Sequence, residues 1–290
     1  MAQLKVRELS PEIGVEVSGV DFSKPLDEAT SAELRALFDE RGVLVFPEAE
    51  LDLQTQNRLT YMLIGIPDAD EADRALVQDD GAPRRESYIS NRVEGGIAPF
   101  GRLLWHSDGM WSEAPFHAIS LWGEAVEQPT VPTLFASATR AWDTLPADLR
   151  VRVDGKHAIH VTGQLDRGGY ADGEVLQATR QQELMVTTPI ESPHPRTGRS
   201  MLYVSEQSTS EIIELPAEES EALLMELFAH LYDPAHVLEH HWRQGDLVIW
   251  DNLSVQHGRP DVSVEGPART LRKTFAPRMV MAETPKFSRM

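Results

Sequence analysis

Polar and apolar positions alternate near the start of the chain, where Ile13, Val15 and Val17 stand against Gly14, Glu16 and Ser18. That period of two predicts a pair of half-buried strands between Leu4 and Val20. The period then lengthens. Thr30-Ser31-Ala32-Glu33 has the form of a capping box, Leu34, Leu37 and Phe38 make an apolar stripe, and Gly42 is a suitable terminator, so a helix is predicted from Thr30. Val43-Leu44-Val45-Phe46, closed by Pro47, reads as a strand buried on both faces. A second helix is predicted over Gln54 to Ile64, with Leu59, Met62 and Leu63 on one face.

Residues Pro67 to Gly101 are rich in Asp, Gly, Pro and Arg and read as loop, except for the strand-like Ser87-Tyr88-Ile89-Ser90. Strands are predicted over Ala118 to Trp122 and Thr133 to Ala136, followed by a short helix over Ala141 to Leu149 opened by Asp143 or Thr144. The stretch 163–185 carries several glycines and few large apolar residues, which suits an active-site lid. Pro193-His194-Pro195-Arg196-Thr197-Gly198 is a turn ahead of a strand at Met201 to Val204. Pro216 to Tyr232 has Pro at its start, Glu218, Glu219 and Glu221 at the positive end of the macrodipole, and Leu223, Leu224, Leu227, Phe228 and Leu231 on one face, so it is the clearest helix of the chain. Strands return at Trp242, at Leu247 to Trp250 and at Arg269 to Phe275, with Gly245-Asp246 as a turn. No repeat or linker interrupts the pattern, so residues 1–290 are read as one domain, mainly β with flanking helices.

Composition narrows the chemistry. The chain has 290 residues, 27 basic against 46 acidic, for a net charge of −19. A field of that sign repels phosphate backbones and anionic lipid, so neither nucleic acid nor a membrane is an expected partner. The absence of cysteine excludes disulfides, thiolate metal sites and Cys nucleophiles, leaving His and carboxylates to hold any metal. No signal-peptide core and no stretch of about 18 apolar residues is present, which places the expected location in the cytoplasm.

Those constraints bring Leu104-Trp105-His106-Ser107-Asp108 forward. On a strand, His106 and Asp108 would share a face. With His257, which follows Trp250-Asp251-Asn252, they would complete a facial triad of two imidazoles and one carboxylate, an arrangement that leaves metal positions open and suits non-haem Fe(II) working with dioxygen.

The ordered set of motifs resembles the TauD/TfdA family of Fe(II)- and 2-oxoglutarate-dependent dioxygenases. It comprises Ile13-Gly14-Val15-Glu16-Val17-Ser18-Gly19-Val20-Asp21, Val43 to Phe46, Trp105-His106-Ser107-Asp108, Thr133-Leu134-Phe135-Ala136, His194-Pro195-Arg196-Thr197-Gly198, Gly245 to Asn252, His257 and Arg269. The resemblance implies a double-stranded β-helix, or cupin-like jelly roll, and makes His106, Asp108 and His257 the iron ligands. It implies 2-oxoglutarate as a cosubstrate, consumed with O2 to give succinate and CO2 while a small organic substrate is oxidised. Thr133 and Arg269 match the residues that hold the distal carboxylate of 2-oxoglutarate. At the family's second arginine stands Lys273, with Arg272 beside it; strand alternation points Lys273 into the pocket. Related halogenases have a small residue in place of the metal-binding carboxylate, so Asp108 implies oxygen chemistry, with hydroxylation the expected outcome.

Asn91 and Arg102, just before the motif, and Trp111, just after it, are candidate substrate contacts; Trp111, Phe116 and Trp122 otherwise read as core. A homo-oligomer, dimer or tetramer, is the expected assembly. Two rival readings remain at this point. A zinc-type hydrolase could use the same triad to activate water, and a non-catalytic binding protein could keep the jelly roll alone.

Overall fold

The computed structural model describes residues 4–66, 83–162 and 185–277. Two sheets face one another at its centre. The larger has seven strands in the order β1 (Lys5–Glu8), β2 (Val15–Ser18), β3 (Val43–Phe46), β14 (Leu247–Asp251), β6 (Ala118–Val126), β16 (Arg269–Ala276) and β4 (Tyr88–Ser90). The smaller has four, β13 (Leu238–His240), β7 (Thr133–Ser137), β15 (Val255–Val262) and β5 (Gly101–His106). Neighbours in both sheets are antiparallel except β2 and β3. The pair of sheets is the jelly roll.

Strand β3 shows why a continuous apolar run belongs here. Val43 and Val45 join Ile119, Leu121, Val248, Trp250 and Leu271 from the same sheet, and Phe135, Leu238 and Val255 from the other, in the core between the sheets. Leu44 and Phe46 point the opposite way, with Leu247 and Ile249, against Leu34 and Phe38 of α1 (Glu28–Arg41) and Leu59 and Leu63 of α2 (Leu53–Leu63). Both faces are therefore dry, and alternation has no polar side to show. Burying each of these large side chains contributes about 1.5–3 kcal/mol.

A third apolar cluster lies under α5 (Ala217–Leu231). It joins Leu223, Leu224 and Leu227 to Trp142 of α3 (Ala138–Asp143), Leu149 of α4 (Ala147–Val153) and Leu202 of β11 (Ser200–Leu202). Beside it, β12 (Thr209–Ile212), β8 (His157–Val161) and β9 (Met185–Pro189) form a three-stranded sheet, and β10 (Glu191–Pro193) pairs with β11 across the His194–Gly198 turn.

Several boundaries differ from expectation. Helix α1 begins at Glu28, because the Asp27 carboxylate accepts from Thr30 N at 2.7 Å and caps it ahead of the Thr30 box. The helix expected over Ala141 to Leu149 is two helices: Ser137 caps α3, and Pro146 precedes α4. Trp242 lies after β13 and outside any strand, while β15 continues through Gly258 and Pro260. Of the stretch read as a lid, residues 163–184 lie outside the described residues. Among the described residues no helix is long and apolar enough to cross a membrane.

Candidate active site

His106 is the last residue of β5, and His257 lies in β15, directly opposite it in the antiparallel register. Their ring centroids are 4.1 Å apart. Asp108 is not on the strand: β5 stops at His106, and the carboxylate is delivered by the turn that follows, where Gly109 takes φ +76°. His106 and Asp108 are thus brought together by a turn and not, as expected, by a shared strand face. A turn can place Asp108 beside His106 because its backbone is tied to β14's end, Asp108 N donating to Asn252 Oδ1 at 2.9 Å.

One ligand atom from each of His106, Asp108 and His257 lies within 4.8 Å of the others, the one such His and carboxylate cluster among the described residues. The donor set fits a divalent metal of intermediate softness. His106 Nδ1 lies 2.7 Å from Leu104 O, which sets the ring's tautomer and leaves Nε2 facing Asp108 Oδ1 at 3.4 Å. The other carboxylate oxygen, Oδ2, accepts from Lys273 Nζ at 2.5 Å. Burial by itself would raise the Asp108 pKa, but Lys273, the His106 hydrogen bond and His257 together hold it well below the usual carboxylate range. Burial, with His106 beside it, holds His257 well below the usual imidazole range. Both groups are therefore in the protonation state that a metal needs at neutral pH.

The triad lines a cavity of about 320 Å³ that also contains Thr133, Arg259, Arg269, Lys273, Gln207 and Trp250. Arg269 is 4% exposed and donates Nη2 to Thr133 Oγ1 at 3.2 Å and Nε to Val131 O at 3.3 Å. Burial, with Arg259 nearby, brings its pKa down to about 9, so it stays charged at neutral pH. Thr133 Oγ1 also accepts from Trp242 Nε1 at 2.9 Å, so its own proton is left to offer to an incoming acceptor. A buried guanidinium and a hydroxyl converging on a cavity wall make a seat for a carboxylate.

Among the other expected contacts, Trp111 lines the cavity, and so does Phe116, which the sequence reading had given to the core. Trp122 lies elsewhere, under the Arg272 guanidinium at 4.3 Å. Asn91 does not line the cavity. It anchors the start of β16 by accepting from Arg269 N at 2.9 Å and donating to Pro267 O at 3.0 Å. Arg102 is exposed on β5 and also lies off the cavity. Lys273 is on the cavity face of β16, whereas Arg272 turns under α2 and donates to Gln56 Oε1 at 2.9 Å. Arg259, two residues past His257, was not foreseen. It is 3% exposed and donates to the carbonyls of Ala98, Phe100 and Gly101, fixing the segment that enters β5.

A profile of the family described as "Taurine catabolism dioxygenase TauD, TfdA family" matches residues 5–275. An alpha-ketoglutarate-dependent 2,4-dichlorophenoxyacetate dioxygenase from Cupriavidus pinatubonensis is 28% identical over 279 residues, covering 90% of this chain and 94% of its own. Pentalenolactone F synthase from Streptomyces avermitilis is also 28% identical, covering 85% of each chain. Among solved structures, a taurine dioxygenase from Burkholderia xenovorans superposes with a TM-score of 0.71 at 25% identity, covering 94% of this chain and 88% of that one.

Proposed function

Because the chain belongs to the TauD/TfdA family and is an Fe(II)- and 2-oxoglutarate-dependent dioxygenase, we propose that His106, Asp108 and His257 hold its iron, that Arg269 and Thr133 seat the distal carboxylate of 2-oxoglutarate, and that the enzyme hydroxylates a small organic molecule. The observation that carries this reading is the convergence of His106, Asp108, His257 and the Arg269–Thr133 pair on one cavity. When bound, Fe(II) and 2-oxoglutarate supply the activation of O2, with succinate and CO2 as the cosubstrate's products. The protein's own residues do the rest. The two imidazoles and Asp108 Oδ1 would hold the metal, a donor set that would leave it positions for the cosubstrate and O2. Arg269 and Thr133 would bind the cosubstrate's distal carboxylate and so orient the molecule in the cavity. Lys273 holds Asp108 from behind, and Trp111, Phe116, Leu103 and Ile89 keep the cavity largely apolar.

Purified protein with Fe(II), ascorbate and 2-oxoglutarate is expected to form succinate, faster in the presence of a substrate and not at all after His106→Ala. A wild-type protein that binds 2-oxoglutarate with the same affinity with and without divalent metal would refute the assignment. The substrate is then found from a panel of small organic molecules, with an alcohol as the expected product.

A further inference from the structure

The carboxylate ligand sits on a turn, and a turn alone does not hold a side chain to the tolerance that a metal site requires. Asn252 supplies what the turn lacks. It is 0% exposed, and its amide meets the backbone of Asp108 on both sides: Oδ1 accepts from Asp108 N at 2.9 Å, and Nδ2 donates to Asp108 O at 2.8 Å. The second Nδ2 proton goes to Phe116 O at 2.8 Å, and the residue's own N–H goes to His117 O at 2.9 Å. One side chain therefore grips Asp108 as a neighbouring strand would, and ties it to the entrance of β6.

Asn252 is itself held. It follows Asp251, which is 1% exposed and accepts from His194 Nε2 at 3.0 Å, from the Arg196 guanidinium, and from Leu253 N and Ser254 N at 3.0 and 3.1 Å. The His194–Gly198 turn thus locks the end of β14 from one side, and Asn252 reaches to the ligand turn on the other.

We propose that Asn252 is the positioning residue of the metal site: its amide fixes the Asp108 backbone so that Oδ1 stands over the His106–His257 pair before any metal arrives. The proposal rests on the assignment of Asp108 as a ligand. Only an amide of this length has an acceptor and two donors in the required places. Asp would set a carboxylate against two carbonyl oxygens, Gln is one methylene too long, and Leu fills the space with no hydrogen bond.

The test measures Mn(II) binding by titration and Co(II) ligation by visible absorption, at a temperature where each variant is folded by circular dichroism. Asn252→Ala and Asn252→Asp are expected to weaken metal binding about 10- to 100-fold, the usual cost of losing a group that orients a ligand, and to change the Co(II) spectrum, with 2-oxoglutarate binding restored by excess metal. A folded variant with wild-type metal affinity and spectrum would overturn the proposal, because a residue that only stabilises the fold would lower the melting temperature and leave both readouts alone. If neither variant folds, amide exchange in the metal-free wild type decides. Asp108 N–H as slow to exchange as the amides of β14 supports the proposal, and fast exchange that slows only on adding metal overturns it. Should wild-type protein fail to bind metal, or bind it undiminished after His106→Ala, the ligand assignment itself falls.

Discussion

Asp108 gives each of its two oxygens a separate partner, Oδ1 facing His106 at 3.4 Å and Oδ2 taken by Lys273 at 2.5 Å. A carboxylate divided in this way presents one oxygen to a metal, and its charge is compensated from the other side. In its proposed role Arg269 would work by shape as much as by charge. A lysine there would keep the cation and lose the planar fork. Arg269→Lys is expected to raise KM for 2-oxoglutarate roughly tenfold or more, in line with about 1.5–3 kcal/mol for a hydrogen bond to a charged group, with a smaller effect on kcat. An unchanged KM in succinate-release kinetics would remove Arg269 from that role. At this scale the ligand cluster was legible because residue types with few alternatives, in a chain without cysteine, stood in a fixed order. Arg259 and Phe116 were not, because their roles depend on loop carbonyls and on a cavity wall assembled from distant segments. The alternation across β16 did separate Lys273 from Arg272, whereas the strand reading of Asp108 overlooked the turn signal of Asp108-Gly109, which lies just past the end of β5.

Among the elements, β8 carries an unusual passenger. His160 is 0% exposed and lies between two threonine hydroxyls, Thr209 Oγ1 at 2.9 Å from Nδ1 and Thr188 Oγ1 at 2.8 Å from Nε2, one from each neighbouring strand. Burial lowers its pKa to about 3. Since the folded value lies below the unfolded one of about 6.5, the unfolded chain binds the extra proton between them, and stability rises with pH across that window. The contribution is fully present above pH ~6.5 and is lost at up to about 1.4 kcal/mol per pH unit as the pH falls toward 3. His160→Gln is expected to flatten this part of a denaturation profile measured from pH 7 to pH 4, and a variant with the wild-type slope would show that another group titrates there. Strand β8 was not anticipated, because its His-Ala-Ile-His-Val pattern puts a histidine at a core position. Strand β15 was hidden for a related reason: Gly258 and Pro260 are poor strand formers, and pairing with β5 and β7 overrides them.

Taken whole, the molecule splits its site between two layers. His106, His257, Thr133 and Arg259 come from the four-stranded sheet, and Arg269 and Lys273 from the seven-stranded one. Metal and cosubstrate would therefore staple the layers together. Under anaerobic conditions, Fe(II) with 2-oxoglutarate at about 100 times Kd is expected to add about 2.7 kcal/mol and raise the melting temperature by several degrees, whereas 2-oxoglutarate without metal adds much less. Equal shifts in the two cases would show that the cosubstrate binds away from the metal. The jelly roll and its flanking helices were visible as a resemblance carried by ordered motifs, and the register of the strands was not.

The strand order has a further consequence for how the protein is made. In the larger sheet β14 fills the slot between β3 and β6, pairing Leu247–Trp250 with Val43–Phe46 on one side and Leu247–Asp251 with Ala118–Trp122 on the other. Until residues 247–251 leave the ribosome, the nascent chain has two apolar strands facing a gap that no earlier segment fills. These are the exposed edges and long-range pairings that slow folding and invite association. Synthesis must pass residue 251 before the central sheet can close, and His257 follows within a few residues of that closure.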